Sequence, residues 1–259
     1  MSFENSKLST EWADAVAVQS FMRARAGDGP RIGPFSILFS PTSRDPFANY
    51  AIPTDGAEPT ASEIAALEAA FHARHRQPRL EYLAAAAPAV EAALLAAGFT
   101  VELRPPLMTR RPGAIVTNSA PAGFEVTFIE DPERLSQAVS VQAEAFGGEE
   151  SDVGWLLRVA ARGGRVVSAY CRETGEAAGA GAFIPPIGGV TEVVGLAVRP
   201  AFRRRGVAQL MTAMLADEAF RAGCTLAFLS AAGEAQSAIY ARAGFLRRSP
   251  MLFISKTES

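Results

Sequence analysis

The residues best suited to chemistry form a cationic loop, in which Arg203, Arg204 and Arg205 directly precede Gly206. Beyond Gly206, apolar residues recur at three- and four-residue spacing from position 207 to 215, which predicts a helix. The first amides of a helix have no partner within it and lie at the positive end of its dipole. A glycine there lets a ligand approach the backbone closely. The pattern therefore predicts a cradle for a pyrophosphate.

A buried strand is expected to hold this loop from the other side. Val193, Val194, Leu196 and Val198 supply the apolar, mostly β-branched run that is typical of a strand covered on both faces. Pro200 ends the strand, because proline cannot donate to a sheet ladder. The predicted order is therefore strand, cationic loop and helix.

Composition makes the arginine loop a local feature. The formal net charge is −2, which argues against a general nucleic-acid binder, so we interpret the arginines between positions 199 and 205 as a local anion site. The two cysteines, Cys171 and Cys224, show neither a pairing pattern nor metal-ligand spacing, which predicts a reducing compartment and no metal. The first residues lack the pattern of a signal peptide, and no apolar stretch is long enough for a bilayer. We expect a soluble cytoplasmic protein.

The chain also contains an internal repeat at an offset of 146 residues, which places Leu80 on Leu226, Gly98 on Gly244 and Phe99 on Phe245. The predicted order of strand, helix, strand, helix and Gly-Phe coincides in the two halves. A predicted strand at positions 47–52 falls on the strand before the arginine loop. A linker is expected where prolines, glycines and small polar residues accumulate around residues 110–123. We therefore expect one domain over residues 1–112, a linker over 113–123 and a second domain over 124–259.

Two motifs of the second half resemble those of the GNAT superfamily of N-acetyltransferases. The run RRRGVA, residues 203–208, is similar to the acetyl-CoA loop of that family, and the run AIYARAGF, residues 238–245, follows at the expected distance. The resemblance implies an α/β fold of two tandem GNAT-like domains, each a mixed, largely antiparallel twisted sheet flanked by helices. In the first half, the position of Arg203 falls on Ala57 and that of Gly206 on Thr60. The first domain is therefore expected to be degenerate, with a structural role, and the chemistry to belong to the second.

The resemblance also implies how acetyl-CoA is held. In such enzymes the strand before the loop splays from its neighbour at a bulge, and its backbone groups bind the pantetheine arm and polarise the thioester carbonyl. The residues expected to contact acetyl-CoA are Leu196, Ala197 and Val198 on the strand, and Arg203, Arg204, Arg205, Gly206, Val207 and Ala208 in the loop and helix.

Two side chains take catalytic roles if the resemblance holds. Tyr240 matches the tyrosine that protonates the departing thiolate, and a phenol with a pKa near 10 stays protonated at neutral pH. Glu192 resembles the strand glutamate that removes the amine proton, and partial burial would raise its pKa toward neutrality. Packing of Tyr240 into the core and simple exposure of Glu192 at the strand end are the structural alternatives.

Other features leave the function open in part. Glu149, Glu150 and Asp152 fall where the family has its acceptor loop, and either attract a cationic amine or form a solvated loop. Where many relatives carry an asparagine seven residues before the tyrosine, this chain has Gly233.

The leading hypothesis is transfer of an acetyl group to the primary amine of a small molecule or peptide, by direct attack on the thioester. It implies acetyl-CoA as cosubstrate, no metal, no nucleic acid or membrane partner, and a monomer or homodimer. The alternatives are a non-catalytic acyl-CoA-binding sensor and an unrelated phosphate-binding domain. The second of these is weakened because neither GxGxxG nor GxxxxGK[ST] occurs.

Overall fold

The structure, a computed structural model, describes residues 2–41, 43–113, 120–146 and 153–257. Within these ranges the chain forms seven α-helices and thirteen strands. The helices are α1 (Ser2–Arg25), α2 (Ala61–His72), α3 (Pro88–Ala96), α4 (Pro132–Phe146), α5 (Val153–Ala161), α6 (Val207–Arg221) and α7 (Glu234–Arg242). The strands are β1 (Arg31–Ile32), β2 (Phe35–Phe39), β3 (Asn49–Pro53), β4 (Arg79–Leu83), β5 (Thr100–Leu103), β6 (Leu107–Arg110), β7 (Phe124–Ile129), β8 (Arg165–Cys171), β9 (Ala177–Phe183), β10 (Val190–Val198), β11 (Leu226–Ser230), β12 (Leu246–Arg247) and β13 (Met251–Ser255).

The described residues divide into two compact units. Unit 1 comprises residues 1–107 and 248–259, and unit 2 comprises residues 108–247. The sheet of unit 1 has the order β1-β2-β3-β4-β13-β5, and that of unit 2 the order β12-β6-β11-β10-β9-β8-β7. The pairs β3/β4 and β10/β11 are parallel, within sheets that are otherwise largely antiparallel. The predicted α/β class with two mixed sheets is confirmed.

The last strand of each sequence half lies in the sheet that the other half mainly forms. Strand β13, at the end of the chain, pairs with β4 and β5 of unit 1, so that Phe253 lies opposite both Glu81 and Leu103. Strand β6, from the first half, pairs with β12 of unit 2 through Leu246 and Thr109. Strand β13 lies between β4 and β5, and β6 lies between β12 and β11, so both edges of each strand face a hydrogen-bonded neighbour. The units therefore divide the chain differently from the expected boundaries at 112 and 124, and residues 114–119 of the expected linker lie outside the described ranges.

The internal repeat is visible in the backbone. Helices α2 and α6 begin 146 residues apart, as do α3 and α7. The ends of α3 and α7 close in the same way, because the amide of Phe99 donates to the carbonyl of Leu94 and the amide of Phe245 to that of Tyr240, each at 3.0 Å. Gly98 follows α3 with φ of 86° and Gly244 follows α7 with φ of 90°. Repeated sequence therefore corresponds to repeated structure.

Helices α6 and α4 cover opposite faces of the unit 2 sheet. On one face, Phe183 and its neighbour Val193 pack with Met211 and Leu215 of α6. Gly179 lies on the same face, and a Cβ there would stand 2.9 Å from the side chain of Met211, so the glycine lets α6 approach the sheet closely. Helix α4 packs against β9 and β10. None of the helices in the described ranges is both long and apolar enough to cross a membrane.

Candidate functional site

The start of α6 has the backbone geometry of an anion cradle. Gly206 is the N-cap and has φ of 82°, and Arg204 also adopts a left-handed conformation with φ of 61°. The amide of Leu210 makes the first bond within the helix, to the carbonyl of Gly206 at 3.1 Å. The amides of the preceding turn are therefore not used within α6, and no side chain of Gly206 caps them. They lie at the positive end of the dipole of a 15-residue helix.

Three exposed arginine side chains surround this helix end. The Nε of Arg203 donates to the carbonyl of Val198 at 3.0 Å, which ties the loop to the end of β10. The guanidinium of Arg205 lies 5.8 Å from the ring centroid of Phe124. Among the described residues, Arg204 has no hydrogen-bond or ion-pair partner. The structure thus brings together the three arginines that the sequence singled out.

Arg199 does not belong to this cluster, which corrects the interpretation of positions 199–205 as one anion site. Its Nε lies 2.9 Å from a carboxylate oxygen of Glu144, and its NH1 lies 2.7 Å from one of Glu176. Two carboxylates therefore neutralise a guanidinium that is mostly buried. The cradle is limited to Arg203, Arg204 and Arg205.

Val207 and Ala208 contribute to the cradle in a different way from the arginines. Val207 is 1% exposed and packs in the core of unit 2, so its side chain anchors the first turn of α6 to the sheet. Ala208 is half-buried, and its carbonyl accepts a hydrogen bond from the hydroxyl of Thr212 at 2.7 Å. The side chain of Val207 is therefore turned into the core, and only Ala208 of the two is partly exposed.

Strand β10 carries a bulge, as the resemblance to the GNAT superfamily implied. Its register against β9 shifts between Val194 and Ala197, so that β10 holds one residue more than its partner there. Gly195 lies in the bulge with φ of 62°. The parallel pairing with β11 covers residues 190–192 of β10, and the described register ends at Glu192 opposite Phe228. The two strands therefore separate on the side of the bulge.

The three strand residues expected to contact acetyl-CoA follow the bulge directly. Leu196 and Val198 pack against the core on the α6 face. Ala197 is buried, lies opposite Ala180 of β9 and alternates with them onto the α4 face. The backbone after the bulge thus runs from the separated strands to the arginine loop.

Tyr240 lies on α7, near the start of α6. Its half-buried ring packs against the core of unit 2. Burial raises the pKa of the Tyr240 hydroxyl above its ordinary value, so the group is protonated at neutral pH. The Nε of Arg242, two residues further on α7, donates to the side-chain carbonyl of Gln209 at 3.1 Å, and so links this helix to the first turn of α6.

Glu192 lies near the start of β10, six residues before Val198. Six residues of extended strand span about 20 Å. The side chain is half-buried. It alternates with Val193, which faces α6, so Glu192 lies on the face that α4 covers. The two candidate catalytic residues therefore lie on different elements, Glu192 on β10 and Tyr240 on α7. The point at which β10 and β11 separate follows Glu192 in the sequence.

Gln142 is a buried residue of the site that sequence reasoning missed. Its side-chain amide donates to the carbonyl of Gly195 at 2.9 Å, at the centre of the bulge. The available signal was its position on α4, because Leu135, Ala138, Val139 and Gln142 form one stripe at helical spacing. A glutamine in an otherwise apolar stripe needs a buried polar partner.

Four further positions were singled out in the sequence. Glu149, Glu150 and Asp152, read either as attracting a cationic amine or as a solvated loop, lie outside the described residues. Gly233 is the N-cap of α7 and has extended backbone, with no side chain to bond a ligand. Within the described ranges, no group of three or more His, Cys, Asp or Glu side chains could hold a metal ion.

The corresponding helix start in unit 1 is closed by its own side chains. Thr60 caps α2, and the amide of Glu63 donates to its hydroxyl at 3.3 Å. The carboxylate of Glu63 accepts from the amide of Thr60 at 2.8 Å, and the bonds from Thr60 lower the pKa of Glu63. A fixed carboxylate thus stands at the helix start that corresponds to Gly206 and the three exposed arginines before α6.

Gln19 of α1 forms hydrogen bonds to two neighbouring strands of unit 1. This residue is fully buried. Its amide nitrogen donates to the carbonyl of Pro53 on β3 at 3.3 Å, and its carbonyl oxygen accepts from the amide of Leu83 on β4 at 2.9 Å. The described register between β3 and β4 is limited to Ala51 and Leu80. One side chain therefore bridges these two strands beyond their point of pairing.

Comparison with known proteins relates this geometry to one family. Residues 134–245 match the family model described as "Acetyltransferase (GNAT) family". The fold is similar to a GCN5-related N-acetyltransferase from Kribbella flavida, with 26% identity, a TM-score of 0.80 and coverage of 95% of this chain and 96% of that chain. A search of the curated proteins found no match.

Two further solved structures share the fold at lower identity. A GCN5-related N-acetyltransferase from Sphaerobacter thermophilus is 15% identical, with a TM-score of 0.64 and coverage of 94% of this chain and 92% of that chain. A tandem GNAT protein from the clavulanic acid biosynthesis pathway is 15% identical, with a TM-score of 0.60 and coverage of 95% and 96%. The description of the second structure names a tandem arrangement of GNAT domains.

Proposed function

We propose that this chain, whose segment 134–245 matches the model of the GNAT family of acetyltransferases, is a member of that family and transfers an acetyl group from acetyl-CoA to a primary amine. The observation that carries the proposal is the start of α6. There, Arg204 and Gly206 adopt left-handed backbone conformations beside three exposed guanidinium groups, within the segment that matches the family. The same segment contains the strand separation and the protonated phenol that this reaction requires.

The cradle fits the pyrophosphate of acetyl-CoA. Arg203, Arg204 and Arg205 offer donors and positive charge, and the amides of Gly206, Val207 and Ala208 offer donors at the helix end. Leu196, Ala197 and Val198 would bind the pantetheine arm through their backbone groups, because β10 and β11 separate beside them. The pantetheine arm would then lie between the separated strands.

The reaction requires two proton transfers. Acetyl-CoA supplies the acyl group as a thioester, whose C–S bond breaks as the amine nitrogen bonds to the carbonyl carbon. Glu192 takes the proton that the amine loses, directly or through a water. Tyr240 gives its proton to the departing sulfur, and its raised pKa keeps that proton available at neutral pH. Free coenzyme A and an N-acetylated amine are the products.

The acceptor is a primary amine of a small molecule or a peptide. The formal net charge of −2 gives the chain no general affinity for nucleic acid. We place the reaction in the cytoplasm, with the chain acting as a monomer or homodimer and without a metal or a membrane partner.

Turnover tests this proposal directly. Release of free thiol from acetyl-CoA is measured with polyamines, amino acids, aminoglycosides and peptides as acceptors. We expect thiol release that depends on an amine, and a fall in kcat of about 100-fold for Glu192→Gln with unchanged affinity for acetyl-CoA. The control is Glu173→Gln, which makes the same change in an exposed turn of unit 2. The proposal fails if none of these amines stimulates thiol release.

A further inference from the structure

The bulge of β10 is held by one buried side chain from α4. Gln142 is 6% exposed, and its amide nitrogen lies 2.9 Å from the carbonyl oxygen of Gly195. The contact is close on both sides, because a Cβ on Gly195 would stand 2.3 Å from that nitrogen. Gly195 therefore combines a left-handed backbone with the absence of a side chain, and both features serve this hydrogen bond.

Because the peptide is planar, the hydrogen bond from Gln142 to the carbonyl of Gly195 also sets the direction of the Leu196 N–H. The described chain has no cis peptide bond, and in a trans peptide the C=O and the following N–H point in opposite directions. The carbonyl of Gly195 points toward Gln142, on the α4 face of the sheet. The N–H of Leu196 therefore points toward the opposite face, where the side chains of Leu196 and Val198 pack beside α6.

We propose that Gln142 is a positioning residue for acyl transfer, which fixes the peptide between Gly195 and Leu196 so that the Leu196 N–H donates to the thioester carbonyl. This inference rests on the proposed function. A donor aimed at developing negative charge accelerates acyl transfer only if its direction is set before the reaction. Without the amide of Gln142, the partly buried carbonyl of Gly195 loses its partner and the peptide turns to find another.

The test replaces Gln142 by methionine, which keeps the length and approximate volume of the side chain but donates no hydrogen bond. The control is Gln137→Met on the exposed face of the same helix. For Gln142→Met we expect kcat to fall about tenfold or more, while the dissociation constant of CoA, which lacks the acyl group, stays unchanged. For the control we expect wild-type values of both.

A readout independent of activity accompanies the kinetics. The amide resonance of Leu196 is followed by NMR in the acetyl-CoA complex, and we expect Gln142→Met to shift it while Gln137→Met leaves it in place. Wild-type kcat together with an unmoved Leu196 resonance in Gln142→Met would overturn the proposal. If the wild type binds acetyl-CoA but acetylates no amine, the proposed function fails, and the Leu196 resonance alone still decides the role of Gln142.

Discussion

Tyr240 shows how surroundings give a common side chain a specific capacity. The tyrosine lies on α7, and burial against the unit 2 core raises the pKa of its hydroxyl. A group with a raised pKa retains its proton as the pH rises through neutrality, so it can act as an acid throughout that range. The hydroxyl of Tyr240 therefore retains the proton that an acid in acyl transfer must donate.

Removing that hydroxyl separates an enzyme from a binding protein. For Tyr240→Phe we expect kcat to fall about 100-fold because the thiolate leaves without a proton, while acetyl-CoA affinity is retained. Steady-state kinetics and calorimetry measure the two quantities, with Tyr170→Phe on β8 as the matched control. Wild-type kcat in Tyr240→Phe would remove the acid role. A sensor would bind acetyl-CoA but show no turnover even as wild type.

At this scale, residue type and spacing predicted the grouping of three arginines before a helix but not the partners of each arginine. Arg203, Arg204 and Arg205 stand together because they are consecutive and precede a helix. Its place in the chain predicts that Arg199 joins the same cluster, and only the fold places Glu144 and Glu176 beside it. Partners that are distant in sequence depend on tertiary structure, which a local pattern does not contain.

Among the elements, the turn into α6 has a specific backbone requirement at its N-cap. Gly206 has φ of 82°, and an alanine there is strained by about 1 kcal/mol. We expect Gly206→Ala to weaken acetyl-CoA binding about tenfold or more, since relief of strain turns the first amides of α6 away from the ligand. Isothermal titration calorimetry measures this change.

Gly223 provides the control for strain at the other end of the same helix. Its φ is 93°, and a Cβ there would meet no atom within 4 Å. Gly223→Ala is expected to lower the free energy of unfolding by a similar amount without changing acetyl-CoA affinity. Equal losses of affinity in the two variants would mean that the geometry of Gly206 has no specific role.

Element boundaries followed from the sequence where the signals were local. The run Thr60-Ala61-Ser62-Glu63 has the pattern of a capping box, and α2 begins directly after Thr60 with that box formed. The strand predicted from Phe47 begins later, at Asn49, because residues 46–48 form a 3₁₀ turn. There, the carboxylate of Asp45 accepts the amide of Phe47 at 2.9 Å. A side-chain cap at this position outweighs the strand propensity of the residues that follow.

For the whole molecule, the sequence predicts the internal repeat but not that the last strand of each half, β6 or β13, joins the sheet formed mainly by the other half. The offset of 146 residues predicts two similar halves, and helices begin at that spacing. Nothing in the residues of β13 identifies β4 and β5 of unit 1 as its neighbours, because strand pairing is set by the packing of distant segments.

The two units differ in what their shared architecture leaves open. In unit 1, Glu63 occupies the start of α2, and Gln19 bridges β3 and β4. In unit 2, the start of α6 has a glycine and three exposed arginines, and Gln142 holds a carbonyl of β10 at the bulge. A protein side chain thus takes the place in unit 1 that we assign to a ligand in unit 2. We therefore expect one acetyl-CoA site in each chain.

The most direct test of the account is calorimetric titration of the purified protein with acetyl-CoA. We predict saturable binding with one equivalent per chain, lost in Arg203→Ala/Arg205→Ala and retained in Arg221→Ala, which removes an exposed arginine from the far end of α6. Absence of binding by the wild type, or full affinity in the double variant, would contradict the cradle. Two equivalents per chain would contradict the closed state of unit 1.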